Sequence, residues 1–358
     1  MDKDRIKSFA EKVNQDAAGA MTSGMAYVGT RTGLFRTMAG KGAMTADAVA
    51  RAAGLQPRYV EEWLKGMTAA GYLEHTPGAG AAPPSFRLPD EHGYLLASDG
   101  TDHFMGGLFL MVPVLMAAAP KVAEAFKSGG GVTLADLGPA GIDALDWLNC
   151  GQYEHRFTSQ WLAAMPDVVA RLQAGGRILD VGCGTGRVAI AMAKAFPNAA
   201  VVGLDPHAGS IEKARAAATA AGLGSAGDRL RFVAQTTAEL PTSEGFDLIT
   251  ACDCIHDFAA PEQTLAEIRA LLKPEGTLFA LEPKVADQLE DNAHALGAVF
   301  YGFSIFHCMT QSLAHGGAGL GTCLGPARTT ELLRSAGFSR IEQVSIRSQT
   351  QLFYTARR

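Results

Sequence analysis

Apolar positions recur at helical spacing through the first quarter of the chain. The opening twenty residues mix charged and apolar positions as an amphipathic helix does, and residues 26–38 read as one further helix. Thr45 offers a polar cap to a helix over residues 46–53, and Gly54 stops it. Gln56-Pro57 opens the next helix, residues 57–70, with proline in its first turn and Gly71 at its end. Two short extended pieces, 72–75 and 86–88, flank a Pro/Gly-rich tip at 77–84. Three helices and a wing make a winged helix-turn-helix.

Residues 101–165 read as helical, with a glycine interruption at 129–131. From Arg177 the period changes. Short apolar runs at 177–181, 200–204, 230–234, 246–251 and 277–281 alternate with helical patterns, 186–196, 210–222 and 261–272 among them. That alternation predicts a parallel sheet with helices on both faces. A helix at 327–336 and strands at 341–346 and 351–355 close the pattern. Residues 284–323 break it. This long stretch carries Phe300, Tyr301, Phe303, Phe306 and His307, and is expected to act as a lid or binding loop.

Composition narrows the function. The 358 residues are 47% hydrophobic and 19% charged, enough for two domains with sizeable cores. The net charge of −5 is not that of a general binder of nucleic acid or anionic membrane. Residues 1–100 carry 11 basic and 11 acidic side chains, a poor balance for a phosphate-binding winged helix. The apolar run at 104–119 is short for a membrane span and is broken by Gly106, Gly107 and Pro113, so it reads as a buried helix. No secretory signal pattern opens the sequence, and a cytoplasmic location is expected. The six cysteines show no paired zinc spacing; Cys252-x-Cys254 stands alone, the nine histidines are scattered, and no metal is expected.

The segment with the clearest chemistry is Asp180-Val-Gly182-Cys-Gly184-Thr-Gly186, between a predicted strand and a predicted helix. Glycines there let a ligand lie against backbone where side chains would clash. Asp205 ends the next strand, twenty-five residues after Asp180. The spacing differs from that of pyrophosphate-binding loops and resembles the D-x-G-x-G-x-G loop of class I S-adenosylmethionine-dependent methyltransferases. The resemblance covers roughly residue 166 to 358. With the winged helix in front, it extends to small-molecule O-methyltransferases and to bacterial methyltransferases described as regulators.

What the resemblance implies is a Rossmann-like seven-stranded α/β sheet, last strand antiparallel, over residues 166–358, with the lid-like insertion at 284–325. Ahead of it lie a mostly helical winged-helix dimerisation domain at 1–100 and a helical linker over the active site at 101–165. S-adenosyl-L-methionine is the implied cofactor and S-adenosyl-L-homocysteine its product. Asp180, Gly182, Gly184 and Gly186 would wrap it, and Asp205 would accept from the ribose hydroxyls. Thr236 and Thr237 match the segment whose acidic residue meets the adenine amino group; here a hydroxyl stands instead. Asp253 matches the turn after the fourth strand.

Cys254-Ile-His256-Asp257-Phe258 resembles the His-Asp-Trp segment of plant-type O-methyltransferases, whose histidine is the general base. His256 would then take the proton of a small-molecule acceptor, with Glu282 orienting it. The bland reading makes His256 a packing residue and Asp257 a cap for the helix near Pro261. Tyr153 and His155, before the first strand of the sheet, and Tyr301 and His307, in the insertion, are further candidates to touch substrate, with ordinary core packing the alternative for each; Trp161 lies nearby. S-methylation of a small thiol, or a cofactor-sensing regulator, are the alternatives. Met21, Met25, Val28, Leu34 and Phe35 are candidates for a homodimer interface, or for the domain's own core.

Overall fold

The computed structural model describes residues 1–224 and 229–358. Contacts divide the chain into two units: Met1–Val114 with Asp143–Gln152, and Leu115–Ile142 with Tyr153–Arg358. The helical stretch 101–165 is therefore shared between both units.

In the first unit, helix α1 (Lys3–Thr32) starts at Asp2, whose carboxylate accepts from the N–H groups of Asp4 and Arg5. It ends at Gly33, held at φ 75°, and α2 (Leu34–Met38) follows. The single helix expected over 26–38 is thus split, because a left-handed residue cannot continue a right-handed helix. Strand β1 (Met44–Thr45) leads into α3 (Ala46–Ala53), capped by the Thr45 hydroxyl and stopped at Gly54. Helix α4 (Pro57–Ala69) buries Val60, Trp63, Leu64 and Met67. Strands β2 (Glu74–Thr76) and β3 (Ser85–Arg87) pair antiparallel as the wing, with β1 on the other side of β3. Leu34 and Phe35 are buried in this domain's core, so they leave the list of interface candidates. The Met25 sulfur faces Gly66, while Met21 and Val28 stay exposed.

Helix α5 (Asp90–Leu96) is followed by α6 (Gly106–Ala117), α7 (Ala119–Ser128) and α8 (Leu134–His155), the last interrupted by Gly138 at φ 65°. Among the described residues no single helix is long and apolar enough to cross a membrane; α6 and α7 pass such a test only as a pair bent by 49°.

Helix α9 (Pro166–Gln173) opens the sheet domain. Strand β4 (Arg177–Val181) leads to α10 (Arg187–Ala195), β5 (Ala200–Leu204) to α11 (Ala208–Ala220), then come β6 (Leu230–Val233) and β7 (Phe246–Cys252). Helix α12 (Pro261–Leu271) and β8 (Leu272–Pro283) follow. The insertion after β8 folds as α13 (Ala295–Phe303), a π-helical turn (Ser304–Cys308) and α14 (Met309–Ala314). Helix α15 (Pro326–Ser335), β9 (Arg340–Val344) and β10 (Gln351–Arg357) complete the chain.

The seven strands lie in the order β6-β5-β4-β7-β8-β10-β9, parallel except for β10, which runs against both neighbours. Alternation along each strand feeds two cores. Ile178, Val201, Leu248 and Phe279 face one helical layer; Leu179, Val202, Ile249 and Leu278 face the other. Sheets covered on both sides need such near-continuous apolar strands. Reversal of strand order between β4 and β7 opens a crevice at their carboxyl ends, where ligands of open α/β sheets bind.

Candidate active site

The loop at residues 182–186 leaves β4 at this crevice. Its three glycines hold φ of 65°, 51° and 84°, a region that L side chains adopt only at a cost. A Cβ on Gly182 would stand 2.9 Å from the Cys254 Cβ, and one on Gly186 2.7 Å from the Phe232 ring. A Cβ on Gly184 would meet no protein atom within 4 Å. The loop thus packs tightly at both ends and leaves its middle glycine facing open space.

Asp205, at the end of β5, pins this loop. One carboxylate oxygen accepts from the Gly184 N–H at 3.0 Å, the other from the His207 N–H at 2.8 Å. Burial pushes its pKa up, against those two hydrogen bonds. Asp180, in β4, is buried. Its Oδ1 accepts from the Thr250 hydroxyl at 2.7 Å, and its Oδ2 is buried without a hydrogen-bond partner. Burial pushes Asp180 up to about 7.

Asp253, just past β7, has φ 52° and is the one non-glycine with positive φ among the described residues. Such strain persists where the surroundings over-determine it. Its carboxylate accepts from the Tyr153 hydroxyl at 2.6 Å and the Gln351 amide at 2.9 Å. Burial raises Asp253 to about 6, and burial beside Asp253 raises the Tyr153 phenol well above its ordinary value.

His256 sits in the 3-10 turn Ile255–Asp257 and is 3% exposed. Its Nδ1 lies 2.6 Å from Glu282 Oε2, and the other Glu282 oxygen accepts from the Ile255 N–H at 3.0 Å. The glutamate, at the end of β8, therefore fixes both ring and turn. A carboxylate on Nδ1 assigns the proton to that nitrogen in the neutral ring and leaves the lone pair on Nε2. Nε2 lies 3.6 Å from Asp257 Oδ1, which is buried without a hydrogen-bond partner. Cys308, in the π-helical turn, offers its Sγ within 4.8 Å of ligand-type atoms of His256 and Asp257. Burial works against the imidazolium, but Glu282 and Asp257 outweigh it and hold the pKa well above its ordinary value.

The insertion is tied to this turn through backbone. The Gly321 N–H donates to the His256 carbonyl at 3.2 Å and the Ala318 N–H to that of Ala259 at 2.9 Å. On its other side, the Val132 N–H donates to Thr310 Oγ1 at 2.9 Å, and Ile305 and Phe306 pack with Val122 and Val132.

The structure thus brings Asp180, Asp205 and the glycines together, and His256 with Glu282. It also joins Tyr153 to Asp253. His307 is buried next to Cys308, its Nδ1 without a partner, and burial lowers its pKa. Other candidates have different surroundings. Thr236 donates its hydroxyl to Glu239 in a local capping box, and Thr237 donates to Glu267 of α12 at 2.5 Å. No described contact links either to the glycine loop. His155 is exposed at the end of α8, and Tyr301 is half-buried in α13. Trp161 belongs to the aromatic core, with Phe353 at 5.1 Å between ring centroids. Asp257 does not cap α12, whose N-cap is Ala260. Thr250, Gln351 and Cys308 carry no motif, and sequence reasoning did not assign them to the site; only the fold places them here.

The candidate DNA-reading helix, α4, spends its charges on itself. Arg58 pairs with Glu62 and Lys65 with Glu61, each at 2.5 Å.

Residues 172–337 match the family model of a methyltransferase domain, and residues 20–98 match an Rv2258c-like winged HTH domain. The demethylmenaquinone methyltransferase of Thermus thermophilus is 36% identical over 111 residues, which are 31% of this chain and 48% of that protein. The chain thus spans about half the length of this curated relative. An O-methyltransferase family protein from Burkholderia thailandensis superimposes with a TM-score of 0.65 at 18% identity, covering 100% of this chain and 98% of that one. Human N-acetylserotonin methyltransferase, solved in complex with SAM, gives 0.65 at 19% identity and 97% coverage of each chain. At such identities the likeness is one of fold, and it runs through the winged helix as well as the sheet. The chain thus carries a winged HTH domain at residues 20–98 and a methyltransferase domain at residues 172–337.

Proposed function

We propose that this protein transfers the methyl group of S-adenosylmethionine to a hydroxyl of a small molecule, with His256 receiving the acceptor's proton. The observation that carries the reading is the buried His256–Glu282 pair, 2.6 Å apart, at the carboxyl edge of β7 and β8. The cofactor supplies a methyl group already activated by a positively charged sulfur. Its fit is supported by Asp180 Oδ2, a buried acceptor in want of a donor, and by the open space in front of Gly184. Asp205 accepts one backbone donor per oxygen and keeps lone pairs for ribose hydroxyls.

The chain's own work is then positional and electrostatic. The acceptor oxygen must lie in line with the methyl at ~3–3.5 Å. An acceptor hydroxyl held there would give its proton to His256 Nε2 as the cofactor's methyl group is transferred to it. Glu282 holds the ring and stabilises the imidazolium that results. Because carboxylates on both sides favour the charged ring, the neutral base grows with pH, and turnover should climb above neutrality.

Small-molecule acceptors are favoured by the helical insertion packed over the His256 turn and by the self-neutralised α4. A homodimer through α1 is part of the same reading. In this 30-residue helix only Ala26 and Gly29 are buried, and Ile6, Phe9, Val13, Met21 and Val28 remain exposed. Light scattering at micromolar concentration tests it: a monomer would remove the dimer.

Calorimetric titration with S-adenosylhomocysteine tests the cofactor site. Micromolar binding that Asp205→Ala weakens supports it; no binding by folded protein refutes it. A screen of hydroxylated aromatics, with thiols alongside, then tests the acceptor class.

A further inference from the structure

His256 Nε2, Asp257 and Cys308 Sγ form a group that the proposed methyl transfer uses only in part. One ligand-type atom from each of the three residues lies within 4.8 Å of the others. Two of them, Nε2 and Asp257 Oδ1, are 3.6 Å apart. That is close to the ~3.4 Å edge of a tetrahedron drawn with ~2.1 Å bonds, the size of a zinc site.

Three further features point the same way. Asp257 Oδ1 is buried with no hydrogen-bond partner, and the His256 ring at 3.6 Å faces it without closing such a bond. The far side of the imidazole is already bound by Glu282, the carboxylate–histidine arrangement that orients metal-ligating rings. The third residue comes from another segment and is held in place: Cys308 ends a π-helical turn, a distortion frequent at functional sites, and the Gly321–His256 backbone bond ties its segment to the 255–257 turn.

We propose that His256, Asp257 and Cys308 bind a zinc-class divalent cation. Nitrogen, thiolate and carboxylate together select a borderline-soft ion over magnesium or calcium. The ion would be bound by His256 Nε2, Asp257 Oδ1 and the Cys308 thiolate, with the thiol proton and the imidazolium proton on Nε2 both released to solvent. Three protein ligands leave a fourth position open. The binding stands on this geometry alone. Its consequence rests on the proposed base role: an ion on Nε2 takes the lone pair that would receive the acceptor's proton, so metal-loaded and base-competent forms are alternatives.

The test uses the full chain, stripped with a chelator and dialysed. Zinc chloride is titrated by calorimetry and cobalt chloride by absorbance. The expected result is one ion per chain and a thiolate-to-cobalt charge-transfer band. Cys308→Ser should abolish the band, Glu282→Gln should weaken binding at least about tenfold, and Cys150→Ser, in the other unit, should keep both band and affinity. Binding of S-adenosylhomocysteine by each variant checks that it is folded. Absence of the band in folded wild type, or affinity unchanged in Cys308→Ser, overturns the site. Failure of the base reading shows elsewhere, as full turnover by metal-free His256→Ala.

Discussion

The two rims of the crevice are built in different ways. The rim at β4 and β5 is made of backbone: three left-handed glycines, one of them tied to Asp205 by a main-chain hydrogen bond. The rim at β7 and β8 is made of buried side chains, His256 on Glu282 and Asp253 under Tyr153 and Gln351, recruited from segments far apart in sequence. A backbone cradle suits a ligand that never varies. A side-chain cluster suits chemistry and an acceptor that differ between proteins of one fold.

The sharpest way to separate the rims is His256→Ala. Turnover should fall by about 10²–10⁴-fold, the range for losing a positioned base, while calorimetry finds S-adenosylhomocysteine affinity unchanged. An equal loss of both would join the rims into one unit. Asp205→Ala should do the reverse. Losing the charged acceptor of ribose hydroxyls and the pin on Gly184 should weaken S-adenosylhomocysteine by about 10–100-fold, with near-normal turnover at saturating cofactor.

A pH titration sharpens the backbone rim further. Burial disfavours the charge of Asp180 and pushes its pKa up to about 7. A folded-state pKa above the unfolded value of ~3.9 gives stability that is full in acid and lost as pH rises through about 7. A cationic ligand group beside Oδ2 favours the ionised form, so S-adenosylhomocysteine affinity should rise through neutrality and level off. Asp180→Asn should flatten that profile; an unchanged slope would assign the proton elsewhere. The smallest effect is expected at Thr237→Ala. Its hydroxyl serves Glu267, so the variant should lose about 1 kcal/mol of stability in urea melts and keep its cofactor affinity.

The same contrast explains what the sequence made legible. The glycine loop and Asp205 are local in the chain and carry the spacing of their job, so they are visible before any fold is known. His256 and Glu282 were reached through resemblance, their pairing being a matter of neighbouring strands. Cys308 and Gln351 were out of reach, because nothing near them in sequence marks their role; a π-helical turn and an antiparallel strand bring them in. Alternation of strands and helices gave the sheet, since apolar period tracks burial on both faces. It joined α1 to α2 wrongly at Gly33, where one left-handed residue overrides a helical pattern on both sides.

The place of β10 has a consequence for how the domain is made. The strand lies between β8 and β9, so β9, although synthesised first, lacks its native pairing partner until β10 arrives. Chains emerge from the ribosome at ~5–20 residues per second. For that interval β8 is an open edge and Asp253 lacks the Gln351 amide. The strands that carry the glycine loop precede β10 in the chain, whereas the opposite rim stays incomplete until β10 enters between β8 and β9.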